Sequence, residues 1–118
     1  HPGGEVPAGH YRVELGRAAI ARAGSALTIV TYGTMVHVCI AAAEALGLDA
    51  EVVDVRSMVP LDIDTIAASV SRTGRCLIAH EATRFGGFGA ELSASIQERC
   101  FWDLEAPIAR VAGWDTPY

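Results

Sequence analysis

The run Ala26 to Thr31, ALTIVT, is almost wholly apolar and β-branched, and it is the segment that most constrains the fold. It lacks the polar alternation of a strand with one wet face, so it reads as a strand covered on both sides, as in a parallel sheet with helices above and below. Immediately after it the period changes. Gly33 and Thr34 lead into a helix expected from about Met35 to Leu46, with Thr34 as a plausible N-cap and Gly47 as its C′ terminator. Whole-chain composition agrees with a folded domain. Half of the 118 residues are apolar and 19% are charged, far from the balance of a disordered segment.

The remaining chain repeats the same alternation. AEVVDV (50–55) supplies a second inner strand, and Pro60 then breaks the chain. Asp62 caps a helix to about Ser71, with Leu61 and Ile66 placed to form a hydrophobic staple. Gly74 ends that helix, CLIA (76–79) is the next strand, and FGGFG (85–89) makes a turn into a helix from about Ala90 to Cys100. Ile108 to Ala112 is a last short strand, and the 11–22 region is the expected edge strand. Strand, helix, strand in this order implies crossovers of one hand and a three-layer α/β/α sandwich around about five strands. The first ten residues hold three Gly, two Pro and two His and read as a linker from a preceding domain, with the α/β domain over 11–118.

Several functions are disfavoured by the residues themselves. Fourteen acidic against nine basic residues give a charge of −5 with no basic stripe, which argues against nucleic acid. The longest apolar run, Val38 to Ala43, is far short of the roughly 20 residues of a membrane span, and the N-terminus has no apolar leader core. Cys39, Cys76 and Cys100 are widely spaced and lie in apolar or helical contexts, so they read as buried thiols of a cytoplasmic-type protein.

Sites for chemistry are sparse. The TYGT turn (31–34) lies where open α/β sheets bind ligands, but a tight turn and a cap account for it as well as an anion does. RFGGFGAEL (84–92) lacks the third glycine of the dinucleotide fingerprint and follows a late strand. It exposes Phe85 and Phe88, which need burial either within the domain or against another chain. His80 and Glu81 end the CLIA strand and point in opposite directions, so the plain account is a backbone-bonded His80 and a Glu81 paired with Arg84. His37 sits in a first helical turn, where a protonated ring is disfavoured. Ala41, Ala42, Ala43 and Ala45 suit close approach of another backbone and helix propensity equally. The segment 101–118 mixes Trp102, Trp114 and Tyr118 with Asp103, Glu105, Arg110 and Asp115, the mixture found at protein interfaces.

Four stretches carry a resemblance: LTIVTYGTMVHVCIAAAEALG (27–47), EVVDVRSMVPLDIDTI (51–66), HEATRFGGFGAEL (80–92) and LEAPIARVAGWDTPY (104–118). Together they resemble the C-terminal domain of the β subunit of 2-oxo acid dehydrogenases, within the transketolase-like group. The branched-chain type is nearest, the pyruvate type next, and the resemblance runs from about Gly9 to the end. It implies a mixed, mostly parallel five-stranded sheet whose first strand is antiparallel. It also implies a parent α2β2 enzyme that decarboxylates a branched-chain 2-oxo acid on thiamine diphosphate and passes the acyl group to a lipoyl acyltransferase. The resemblance places the cofactor and magnesium in the preceding β-subunit domain and the α subunit, so no catalytic, cofactor or metal residue is expected here and the isolated piece is expected to be inactive. What it leaves to this domain is packing against the α subunit, the second β subunit and the preceding domain, and docking of the acyltransferase's subunit-binding domain. Glu105 matches an acidic docking position, and Arg110 a structural or interface arginine. Phe85, Phe88, Trp114 and Tyr118 complete the expected interface set. Family members continue beyond Tyr118, so the domain is expected to be truncated at its C-terminus, with weakened docking. A nucleotide-binding α/β module is the remaining alternative.

Overall fold

In a computed structural model, which describes residues 3–117, the chain forms β1 (Ala19–Arg22), β2 (Leu27–Thr31), α1 (Met35–Ala45), β3 (Ala50–Asp54), α2 (Ile63–Thr73), β4 (Cys76–Thr83), α3 (Phe88–Cys100), a 3₁₀ turn at Phe101–Asp103, and β5 (Ala109–Gly113). The sheet order is β1-β3-β2-β4-β5. β1 runs antiparallel to β3, and every other neighbouring pair is parallel. This is the expected mixed five-stranded sheet.

The unalternating apolar run explains the layering. Ile29 of β2 packs with Val36, Cys39 and Ala43 of α1, while Val30 packs with Ile66 and Val70 of α2 and Leu92 and Ile96 of α3. One helix therefore covers one face and two helices the other. Thr28 lies among the second set without reaching water. Its hydroxyl is 2.8 Å from both Ser69 Oγ and Thr73 Oγ1 of α2, which satisfies a polar group inside an otherwise apolar layer.

Helix termination follows local chemistry. At the end of α1 the Gly47 N–H donates to Glu44 O and the Leu48 N–H to Ala43 O, a Schellman pair made possible by Gly47 at φ +62°. Asp62 caps α2 as expected, accepting from Thr65 N at 3.2 Å and Thr65 Oγ1 at 2.7 Å, and Leu61 packs against the cluster that holds Ile66. α2 continues to Thr73, two residues past the expected end, and Gly74 closes it in the left-handed region at φ +73°.

Four expectations need correction. The edge strand forms only over Ala19–Arg22, because a turn at Gly16 (φ +72°) precedes it and Ala18 N is drawn to Asp62 Oδ2 at 2.9 Å. Thr34 precedes α1 but does not cap it by its side chain. Its backbone is already helical, and its hydroxyl donates instead to Glu81 Oε1 at 2.9 Å, a charge-assisted bond stronger than a neutral cap. β4 does not stop at Ala79 but runs to Thr83, where a register shift restores pairing with Gly113 of β5. α3 starts at Phe88, two residues before the expected Ala90, because Gly87 and Gly89 let its first turn lie flat on the end of β4.

Candidate functional site: two surfaces on the β5 side of the sheet

The glycine-rich turn between β4 and α3 is where sequence alone allowed a phosphate loop. Its glycines serve a different purpose. A Cβ on Gly87 would overlap Thr83 O, and one on Gly89 would overlap the ring of His80. His80 is 3% exposed, its Nδ1 lies 2.9 Å from Ala82 O, and its Nε2 accepts from Gly89 N at 3.0 Å. With the Nδ1 proton given to Ala82 O, the neutral ring satisfies both neighbours and pins the first turn of α3. The backbone-bonded His80 is thus as expected, whereas Glu81 bonds Thr34 rather than Arg84. The Arg84 guanidinium donates to Arg110 O at 3.2 Å. Space that a diphosphate would need at these two glycines is filled by the domain's own atoms. Among the described residues no group of three or more His, Cys, Asp or Glu could hold a metal ion. The residues of this turn do not fit a diphosphate and its magnesium, and no chemistry through such a group is assigned to them.

The first surface surrounds the turn. Phe85 is 86% exposed and Trp114 88%, and the Phe85 N–H donates to Asp115 Oδ1 at 2.9 Å, which ties the two segments together. Shallow clefts of about 450 and 420 Å³ flank this tie, and Arg84, Arg110 and Asp115 line both. Phe88 parts company with Phe85. It is half-buried, packs against the α2–α3 core, and meets Tyr32 edge to face at 6.1 Å between ring centres. Arg110 is half-buried in β5, and Tyr118 lies outside the described residues.

The second surface lies between α3 and the 104–108 segment. Ser93, Gln97, Phe101, Leu104, Pro107 and Ile108 line a groove of about 480 Å³, with Glu105 at its wall. Phe101 and Trp102 stack edge to face at 5.0 Å beside it, and Trp102 is 92% exposed. Glu105 is held from the backbone, its N–H donating to Gly74 O at 2.8 Å. Its Oε2 lies 3.3 Å from Arg75 Nε, in a pair whose side chains are both more than half exposed. Arg75 had no sequence signal, since its partner lies thirty residues away. The structure thus separates the five expected interface residues that it describes. Phe85, Arg110 and Trp114 share one surface, Glu105 belongs to the other, and Phe88 serves the core edge.

The three thiols are free and buried. Burial pushes Cys76 up to about 12, with Cys100 adding to the effect, and burial is the leading cause that also raises Cys39. Cys39 and Cys76 are therefore poor nucleophiles. The Thr31 hydroxyl is buried without a hydrogen-bond partner in the structure. On the outside of α1, Ala41, Ala42 and Ala45 are exposed beside Val38 and Leu46. No helix among the described residues is long and apolar enough to cross a membrane.

Comparison with known proteins bears on these surfaces. A family model for the transketolase C-terminal domain matches residues 16–118. The chain is 64% identical over 118 residues, its whole length, to the 2-oxoisovalerate dehydrogenase subunit beta of Pseudomonas aeruginosa, of which that stretch is 34%. It is 48% identical over 118 residues to the mitochondrial 2-oxoisovalerate dehydrogenase subunit beta of Dictyostelium discoideum, covering 97% of this chain and 32% of that one. It is 49% identical over 117 residues to the pyruvate dehydrogenase E1 component subunit beta of Bacillus subtilis, covering 97% and 36%. A solved structure described as a split-gene transketolase, an inactive β4 tetramer, superposes with a TM-score of 0.73 at 31% identity, covering 95% of this chain and 37% of that one. The chain spans about a third of the length of these relatives.

Proposed function

Because this chain belongs to the transketolase C-terminal domain family, we propose that it is the assembly and docking domain of the β subunit of a thiamine-diphosphate-dependent 2-oxo acid dehydrogenase of the branched-chain type. The observation that carries the reading is the pairing of an exposed carboxylate, Glu105, with an apolar groove walled by Phe101, Leu104, Pro107 and Ile108. Such a site suits a small domain that presents an apolar anchor beside a basic side chain, the chemistry proposed for the acyltransferase's subunit-binding domain. The surface of Phe85, Arg84, Arg110 and Trp114 is offered to subunit packing, against the α subunit, the second β subunit or the preceding β-subunit domain. Large apolar side chains at such exposure are stabilised when a neighbour covers them.

In this reading the oxidative decarboxylation belongs to the assembled enzyme, and thiamine diphosphate and magnesium are held by the preceding domain and the α subunit. The filled glycine turn at His80 supports that division. Residues 1–10 act as the linker to the preceding domain. A cytoplasmic location belongs to the same reading, supported by three buried free thiols. The branched-chain assignment over the pyruvate type rests on the 64% identity against 49%.

Calorimetric titration of the acyltransferase's subunit-binding domain into this chain, at low and moderate salt, tests the proposal, with thiamine diphosphate titrated in parallel. Salt-weakened docking that Glu105→Gln diminishes, with no heat from the cofactor, is the expected result. Cofactor binding by the chain alone, or docking indifferent to Glu105→Gln, overturns it.

A further inference from the structure

We propose that Arg75 is a built-in competitor for the Glu105 carboxylate, and that it sets how tightly a basic docking partner is held. The inference rests on the docking reading of Glu105 and goes beyond it by naming the residue that tunes the site.

The geometry gives Arg75 an anchored base and a movable head. Its carbonyl accepts from Thr28 N at 2.9 Å and from Thr73 Oγ1 at 3.1 Å, so its backbone is tied to both β2 and the end of α2. The side chain, 61% exposed, reaches Glu105 through Nε alone. A guanidinium that gripped the carboxylate through two parallel N–H groups would be hard to displace, whereas a single contact at 3.3 Å in solvent exchanges readily.

Glu105, by contrast, is well placed for an incoming partner. Its main chain is bonded to Gly74 O, and its Cγ and Cδ lie over Gly74 about where a side chain would stand, 3.1 Å from the position of a Cβ there. The left-handed Gly74 thus does two things: it ends α2 and leaves room for the carboxylate. Oε2 faces Arg75, while Oε1 lies over Gly74, 3.2 Å from the Cβ position there, and takes part in no hydrogen bond among the described residues.

A partner Lys or Arg must approach a carboxylate that is already half neutralised and must come close to the Arg75 charge. Like charges at this separation in solvent oppose one another with an energy similar to that of an exposed ion pair. Removing Arg75 therefore strengthens docking by about two- to fivefold at low ionic strength, and the gain shrinks as salt screens both charges. The alternative role for Arg75, holding Glu105 in a productive pose, has the opposite sign.

The test uses the assembled enzyme containing this domain, with the acyltransferase's subunit-binding domain as the titrant at about 25 mM and about 150 mM salt. Arg75→Gln and Arg75→Ala are each expected to tighten binding at low salt, Glu105→Gln to weaken it, and the double variant Arg75→Gln, Glu105→Gln to bind weakly but no more weakly than Glu105→Gln alone. If Glu105→Gln weakens docking while both Arg75 variants weaken it or leave it unchanged, the docking surface stands and the competitor role falls. If Glu105→Gln has no effect, the docking reading itself falls.

Discussion

Gly89→Ala tests whether the His80 ring, rather than turn flexibility, is the reason for glycine in the β4–α3 turn. A Cβ there would overlap His80 Nε2 and stand 2.6 Å from Cδ2 and 3.4 Å from Ile78 Cγ2. The ring is 3% exposed and bonded through both nitrogens, so moving it gives up at least one of those bonds. Displacing it breaks the bond from Gly89 N, and a buried donor or acceptor left unpaired costs about 1–3 kcal/mol. Overpacking adds about 1–3 kcal/mol, while alanine recovers about 1 kcal/mol of helix propensity over glycine. The net expectation is a loss of about 1–5 kcal/mol, and at its middle a fall in Tm of roughly 10 °C for a domain of this length. Gly86→Ala is the control. Gly86 sits at φ +70° with nothing near its Cβ position, so it costs only the left-handed penalty of about 1–2 kcal/mol. Trp102 and Trp114 are already exposed, which makes their fluorescence a poor probe, so urea unfolding is to be followed by far-ultraviolet circular dichroism. In a double-mutant cycle with His80→Ala the clash disappears, and the two losses are expected to be strongly non-additive. A Gly89→Ala protein as stable as the parent, or a cycle that adds up, would refute the packing argument.

Three further outcomes follow from the hydrogen-bond pattern. Asp62 is held below the ordinary aspartate range, first by Thr65 Oγ1, opposed by burial, and further by the Ala18 and Thr65 amides and the Arg17 charge. A depressed carboxyl stabilises the fold above its unfolded value and loses that contribution as pH falls through the folded one. Asp62→Asn keeps a capping oxygen and loses the charge, so it is expected to cost about 0.3–1 kcal/mol at neutral pH and nothing at acid extremes, which flattens the acid limb of stability measured by denaturation across pH. Thr28→Val leaves Ser69 and Thr73 facing a methyl group and is expected to cost about 1–3 kcal/mol in urea unfolding; no loss would mean that the hydroxyls re-pair. Thiol titration with a disulfide reagent at mildly alkaline pH is expected to find Cys76 silent in the native protein and all three cysteines reactive in denaturant, and native labelling of Cys76 contradicts its enclosure.

Much of the scaffold was legible because its signals are local. ALTIVT declares its own burial on both faces, Gly47 and Gly74 mark helix ends by backbone freedom, and Asp62 with Leu61 marks a beginning. Each depends on residues within one turn of one another. The 64% relative and the family match agree with the resemblance carried by the four motif stretches. The antiparallel direction of β1 came only with that resemblance, since no residue in AIAR encodes it.

What tertiary structure alone decided are the partners of residues far apart in the chain. Thr34 looks like a cap until Glu81, forty-seven residues away, accepts its hydroxyl hydrogen bond. Thr28 looks like a β-branched core residue until α2 supplies two hydroxyls, and FGGFG reads as a flexible turn until His80 gives two of its glycines a packing role. Phe85 and Phe88 are alike in sequence, yet the helical start at Phe88 turns one ring onto the edge of the core and leaves the other in solvent. Glu105 meets Arg75 only because the sheet lays the start of β4 beside the segment entering β5. Local propensities and periodicity specify elements and their ends, but the choice of a hydrogen-bond or ion-pair partner is made in space, among the neighbours that the sheet order β1-β3-β2-β4-β5 has brought together.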